Sequence, residues 1–222
     1  PRLSSMKITK LESQKKDSMR VNVFVDGEFF CGLSLSSIAH FSLYAGKELE
    51  EGELENVLEY ELEQRLFDRS IDLISKNPKT VFQIKQYLRS VLLKKKGIWY
   101  VELDEETENN IIENVIQKLD AYGYANDERF AEMFIDDRLL NRPRGKNLIV
   151  AELISKGVEK NIAQQKVDDL VPDEYQMLRE VYEKKYHNEK ISRRDSKKIS
   201  FLLRKGFSWD LIDQFISDGT GE

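Results

Sequence analysis

GYANDERFAEMFIDDRLLNRPRGKNLIVAELISKG, residues 123–157, decides the fold. Asn126 is a helix N-cap, and Asp127 and Glu128 follow in the first turn, where negative charge complements the helix dipole. Phe130, Met133, Phe134 and Leu140 recur at helical spacing and predict the apolar face. Pro143 lacks a backbone donor and disfavours helix at Arg142, so Arg142-Pro143-Arg144-Gly145 breaks the element. A second helix follows, with Ile149, Val150, Leu153 and Ile154 on one face. It ends at Lys156-Gly157, a cation followed by a left-handed cap. In this reading Gly123 and Gly157 shape turns, and Phe130 and Leu153 fill cores.

Working outward, the same ending recurs. Lys96-Gly97-Ile98, Lys156-Gly157-Val158 and Lys205-Gly206-Phe207 each close a basic, apolar-striped helix, and Leu93, Leu153 and Leu202 lie four residues before the glycine. Gly157 follows Gly123 by 34 positions, and Gly206 follows Pro172 by 34. A short apolar-spaced segment comes after each later glycine, Ile162–Val167 and Leu211–Ile216. The chain therefore reads as mainly α, with three tandem three-helix units in an elongated curved array. The tetratricopeptide period is also 34 residues, but its aromatic and small-residue pattern is missing.

A small β element precedes the array. Val21–Val25 alternates, Asp26-Gly27 follows, and then comes Glu28–Cys31: a hairpin signal, with Lys7–Leu11 as a third strand. Ser36-Ser37 starts a short helix through Ile38 and Phe41, and Gly46 and Gly52 bracket a turn. A long helix from Glu53 to about Ser75 buries Leu54, Val57, Leu58, Leu62 and Leu66, and Asn77-Pro78 stops it. Thr80–Gln83 is a capping box for a helix carrying Ile84, Leu88 and Leu92 to Gly97. Ile98–Leu103 is a partly strand-like insertion, and a helix with Ile112, Val115, Ile116 and Leu119 closes the first unit. Ser192–Asp195 reads as a further capping box, Ser208 caps the last helix, and 219–222 is a disordered tail. The domain boundaries are a β-hairpin element with short helix at 1–52, and three-helix units at 53–123, 124–171 and 172–222. Pro1–Ser5 is either an expression remnant or an extended start, with Met6 as the alternative initiator.

With 40% hydrophobic and 34% charged residues, the 222-residue chain suits a helical protein with much surface. Net charge is −5, unevenly placed. Residues 48–63 hold eight glutamates and no Lys or Arg, and read as solvated helix surface. Cys31 stands alone, so no disulfide forms within the chain and a reducing, cytoplasmic setting is expected. It reads as a small buried hydrophobe. No stretch approaches the ~20 apolar residues of a membrane span, and no signal peptide is visible.

Catalytic signatures are missing. Gly46-Lys47 and Gly145-Lys146 lack the rest of a phosphate-binding loop. His40 and His187 have no companions at metal-ligand spacing, and the carboxylates sit on charged helix faces. The expectation is a binding protein: no enzyme, no catalytic residues, no cofactor, no metal. The candidate binding residues form two groups. Arg193, Arg194, Lys197, Lys198, Arg204 and Lys205 fall within an arc of about 140° on one helix, opposite Ile199, Leu202 and Leu203. Phe201 lies inside that arc, and either contributes to a binding face or packs on a neighbouring unit. Arg138, Arg142, Arg144 and Lys146 form the second group.

Gly123-Tyr124, Asn126–Ala131, Arg138, Gly145, Glu152-Leu153 and Lys156-Gly157 together resemble the central signature of RecX regulatory proteins. The match is dense over residues 75–170. The preceding hairpin and long helix resemble the extended N-terminus of RecX proteins from Gram-positive bacteria, and Ile98–Glu108 is longer than the usual connection. The resemblance implies a regulator of DNA recombination and repair that binds RecA and lies along the groove of the RecA–single-stranded DNA filament. Restraint of strand exchange, ATPase and co-protease activity would follow. The expected protein is a monomer without membrane association and with at most weak direct DNA binding. The rival reading from the residues is a DNA- or RNA-binding protein using the three-helix units as helix-turn-helix modules.

Overall fold

The computed structural model describes residues 6–15, 17–100, 102–171, 173–187 and 189–219. Both the Pro1–Ser5 segment and the tail beyond Gly219 fall outside them, and Gly219 itself closes the last helix. Two compact units divide the chain: residues 1–75 with 87–122, and residues 76–86 with 123–222. The second and third three-helix groups lie together in the latter.

In the first unit, β1 (Met6–Ser13), β2 (Arg20–Val25) and β3 (Glu28–Ser34) form an antiparallel sheet. The hairpin turns at Asp26-Gly27, both residues at positive φ (51° and 91°), as a two-residue loop of mirror-image turn type requires. The short helix α1 (Leu35–His40) follows, capped by the Ser34 hydroxyl. A two-residue strand, β4 (Glu48–Leu49), joins β1 and completes the order β3-β2-β1-β4. It occupies the stretch expected to be only a turn. Next, α2 (Glu51–Lys76) begins before the expected Glu53 and contains Gly52. Ile8, Val23, Val25 and Leu33 from the sheet pack with Leu54 and Val57 of α2.

One glutamate of the acidic run is not surface. Glu61 is 4% exposed. Its carboxylate accepts from Arg20 (2.8 Å), Arg65 (2.7 Å), the Ser37 hydroxyl (2.7 Å) and the Ser34 N–H (2.8 Å). Arg20 and Arg65 also both donate to the Gly32 carbonyl at 2.7 Å. These contacts occupy backbone groups on the outer edge of β3 that would otherwise invite another strand. Burial pushes the Glu61 carboxyl up, but the hydrogen bonds from Ser34, Arg65 and Ser37 outweigh it and hold the group below the ordinary carboxylate range. Cys31 is half-buried nearby, its thiol pushed up to about 12 by burial and then by Glu61. His40 stacks on Tyr60 with ring centroids 4.3 Å apart.

Helix α3 (Val81–Lys95) starts in one compact unit and ends in the other. Thr80 and Gln83 exchange reciprocal hydrogen bonds at its start, the expected capping box. Its end departs from the repeat pattern. Leu92 is buried and Leu93 is 77% exposed, as is Ile98 at 71%. The Gly97 N–H donates to the Tyr100 carbonyl (2.7 Å), and the Tyr100 hydroxyl donates back to the Leu92 carbonyl (2.8 Å). Tyr100 thus folds back onto the end of α3, and its carbonyl takes the Gly97 N–H in place of the cap that the other two endings make. Helix α4 (Glu105–Ala121) follows, capped by Asp104, and buries Ile111, Ile112, Val115, Ile116 and Leu119.

The second unit repeats one plan. α5 (Asp127–Asn141) and α6 (Lys146–Ser155) pack with α7 (Lys160–Leu170), and α10 (Trp209–Gly219) packs on α8 (Glu174–Tyr186) and α9 (Ser196–Arg204). Asn126 caps α5 through the Arg129 N–H (2.8 Å). The α5 core face is Ala131 and Ile135, with Phe130 and Phe134 half-buried. Met133 and Leu140 are exposed, the latter at 82%, contrary to the apolar face expected there. Ile154 and Leu203 are likewise exposed rather than inward. Leu153 and Leu202 are fully buried, and their carbonyls accept from the N–H of Val158 (3.1 Å) and Phe207 (3.3 Å) past Gly157 and Gly206. These are matching glycine-capped ends, with the following residue buried.

A docking contact occurs twice within this unit. The Thr80 hydroxyl donates to the Lys156 carbonyl (2.6 Å), and the Gly145 N–H donates to the Lys205 carbonyl (2.8 Å). The Val81 N–H donates to Asp127, and the Lys146 N–H to Glu174, both at 2.8 Å. A Cβ on Gly157 would lie 2.3 Å from Phe82, and one on Gly206 2.3 Å from Leu148. So the start of α3 seats on the end of α6, as the start of α6 seats on the end of α9. At α9 itself the corresponding groups are satisfied locally. Asp195 accepts the Ser192 N–H (2.7 Å) and hydroxyl (2.9 Å), and the Ser196 N–H donates to Arg194. Ser192 therefore does not cap the helix, as the capping-box reading expected; α9 starts after Asp195. Ser208 does sit over the start of α10, accepting the Leu211 N–H at 3.3 Å.

Candidate functional site: a basic cleft in the second unit

Residue Arg142, placed before Pro143, takes φ −145° and ψ 66°, which ends α5. The turn it begins reaches Gly145, whose backbone meets that of Gly206. A Cβ at Gly145 would lie 2.4 Å from the Gly206 carbonyl carbon and oxygen. Only a residue without a side chain permits this approach. The contact brings the Arg142–Gly145 turn beside the end of α9, and the last turns of α8 form a third wall.

The resulting cleft encloses about 520 Å³, within the roughly 300–1,000 Å³ of ligand-sized clefts. Arg142, Arg144, Lys184, Lys185, Lys205 and Phe201 line it, with Asn141, Pro143, Glu180 and Val181. Phe201 is half-buried and meets Tyr186 edge-on, centroids 5.6 Å apart. Lys185 Nζ lies 4.0 Å from the Phe201 ring centroid and Lys205 Nζ 5.7 Å. Phe201 thus packs on α8 of its own three-helix group rather than on a neighbouring one, with the two cations beside its ring.

The two groups of basic residues are used unequally. Arg142, Arg144, Phe201 and Lys205 come together at the cleft. Arg138 is not in the lining, and it shares Glu152 with Arg144, Arg138 at 2.8 Å. Lys146 Nζ reaches Asp168 at 3.5 Å, on the side of α7. Arg193 and Arg194 precede α9 instead of lying on its helical arc, because the helix starts after Asp195. Arg193 forms a two-pronged pair with Asp213 (2.8 and 2.9 Å), and Lys198 of α9 pairs with Glu189 (2.9 Å) and the Lys190 carbonyl (2.8 Å). The hydrogen bond to Asp213 raises the pKa of Arg193, and that to Glu189 raises the pKa of Lys198. Arg194, Lys197 and Arg204 are exposed and do not line the cleft. Sequence reasoning missed Lys184 and Lys185. They were visible as a basic pair, but only the packing of α8 beside α9 shows which way they face.

Comparison with known proteins agrees with this architecture. The model of the regulatory protein RecX N-terminal domain matches residues 6–50, that of the RecX second three-helix domain 126–166, and that of the third 172–216. The regulatory protein RecX of Clostridioides difficile (strain 630) is 30% identical over 216 residues, covering 95% of this chain and 94% of the relative. That of Clostridium acetobutylicum is 30% identical over 221 residues, 95% of each. A crystal structure of a regulatory protein RecX superposes with TM-score 0.71 at 22% identity, over 96% of this chain and 99% of the other. RecX from Lactobacillus salivarius gives 0.56 at 24%, over 72% and 97%. The chain belongs to the RecX family of regulatory proteins.

Proposed function

We propose that this protein is a non-catalytic regulator of the RecA recombinase. It binds RecA and its filament on single-stranded DNA, as a cytoplasmic monomer, and restrains recombinase, ATPase and co-protease activity without cofactor or metal of its own. The observation that carries this reading is the match to RecX regulatory proteins along nearly the whole chain. The basic cleft supplies a surface through which such a regulator engages a partner. In this reading the three-helix groups, bounded at about 53–123, 124–171 and 172–222, present related faces in succession. Among the described residues no helix is long and apolar enough to cross a membrane.

Co-sedimentation across a salt series tests the proposal. The protein should pellet with RecA–single-stranded DNA filaments at physiological salt and bind the same DNA weakly without RecA. Tight binding to naked DNA that falls steeply with salt, with no preference for filaments, would instead identify a nucleic-acid-binding protein built on helix-turn-helix modules.

A further inference from the structure

The protein carries a net charge of −5, yet cations gather at one cleft. Among the described residues, Arg142, Lys184, Lys185 and Lys205 have no carboxylate within ion-pair distance. The single acid in the lining, Glu180, accepts from Gln176 at 3.1 Å. Three helices end here, α5, α8 and α9, and each end carries roughly half a negative charge. The cations outnumber what those dipoles balance. Pro143, Val181 and Phe201 give the same cleft an apolar part.

We propose that this cleft docks a short acidic segment of a partner protein, one that places an apolar side chain between its carboxylates. Two observations favour a peptide over a nucleic-acid strand. The cations on and just before α9 do not form a continuous track for phosphates, because Asp213 and Glu189 neutralise Arg193 and Lys198. A strand-binding groove also needs aromatic faces on which bases stack. Phe201 already has Lys185 and Lys205 over its ring and Tyr186 at its edge. What remains is a compact cationic pocket with an apolar wall, complementary to carboxylates flanking one hydrophobic residue. The identity of the partner as the recombinase rests on the regulatory reading above; the chemistry of the segment does not.

The test uses the full chain and a fluorescein-labelled peptide of Asp and Glu with one central Phe, followed by anisotropy at physiological salt. Binding should saturate and should weaken by about tenfold or more in Arg142→Glu with Lys184→Glu. Arg142→Ser with Lys184→Gln, which removes charge rather than reversing it, should shift it in the same direction. Replacing the peptide's Phe by Ser should also weaken binding, and oligothymidylate should compete poorly. Equal affinity for oligothymidylate, or full peptide binding by a folded charge-reversed variant, would overturn the proposal. A photo-crosslinking side chain at Lys184 with RecA filaments gives the second readout: capture of an acidic RecA segment supports the cleft, and capture of DNA alone refutes it. If filament inhibition survives the double reversal, the cleft assignment fails and the regulatory reading stands. If the peptide binds but filaments do not, the reverse holds.

Discussion

Substituting Gly145 separates close approach from ordinary capping. Gly145 has φ −61° and ψ 153°, a conformation any residue adopts, so an added side chain meets no torsional penalty. The obstacle is steric. The new Cβ would sit 2.4 Å from the Gly206 carbonyl carbon and 2.5 Å from the Phe207 nitrogen, where non-bonded carbons prefer about 3.5–4.0 Å. The neighbour is backbone, held by the glycine-capped end of α9, so relief requires the turn and that end to move apart by about 1 Å. Overpacking of this kind costs about 1–3 kcal/mol, and a backbone neighbour argues for the upper half. For a unit of about a hundred residues each kcal/mol lowers the melting temperature by about 4–8 °C. Calorimetry or circular-dichroism melts read it. Gly145 is also the N-cap of α6, and Ala is a poor cap, so Gly145→Ala alone is ambiguous. Ser is a better cap than Gly yet carries the same Cβ. Gly145→Ser should therefore destabilise almost as much as Gly145→Ala. A Ser variant at or above the parent's melting temperature would refute the docking argument.

Three further outcomes are expected. Leu153→Ala removes a fully buried side chain and should cost about 2–5 kcal/mol, seen as a lowered urea midpoint; an unchanged midpoint would remove Leu153 from the core. Glu61→Ala strands Arg20, Arg65 and the Ser34 N–H and should cost about 3–5 kcal/mol. Because the folded pKa of Glu61 is depressed, its contribution is present above its ordinary value of 4.5 and lost as pH falls through the lower folded value, so parent and variant should converge in acid melts. Leu93→Ser should leave stability nearly unchanged while Leu92→Ala costs about 2–5 kcal/mol, and equal losses would contradict the exposed position of Leu93.

The helices, the hairpin and the repeat were legible because periodicity, caps and the Asp-Gly turn are local signals. What failed was non-local. In α5, apolar residues fall on more than one side: Phe130, Ala131, Phe134, Ile135, Leu139 and Leu140. Periodicity favoured the large ones, but the packed core of this unit buries Ala131 and Ile135. The three Lys-Gly endings look alike in sequence, yet only two keep the glycine-capped geometry, since the insertion after Gly97 competes for its N–H. Glu61 read as surface because three of its partners, Arg20, Ser34 and Ser37, are more than twenty residues away. The site was half legible. Both basic groups were visible, but the Gly145–Gly206 contact that joins Arg142 to Lys205 depends on tertiary structure.

The most direct test of the account is the ATPase activity of RecA on single-stranded DNA with increasing amounts of this protein. The parent protein should suppress hydrolysis, and the folded Arg142→Glu, Lys184→Glu variant should do so far less at equal concentration. ATP hydrolysis by RecA that is unchanged at saturating parent protein would contradict the regulatory claim.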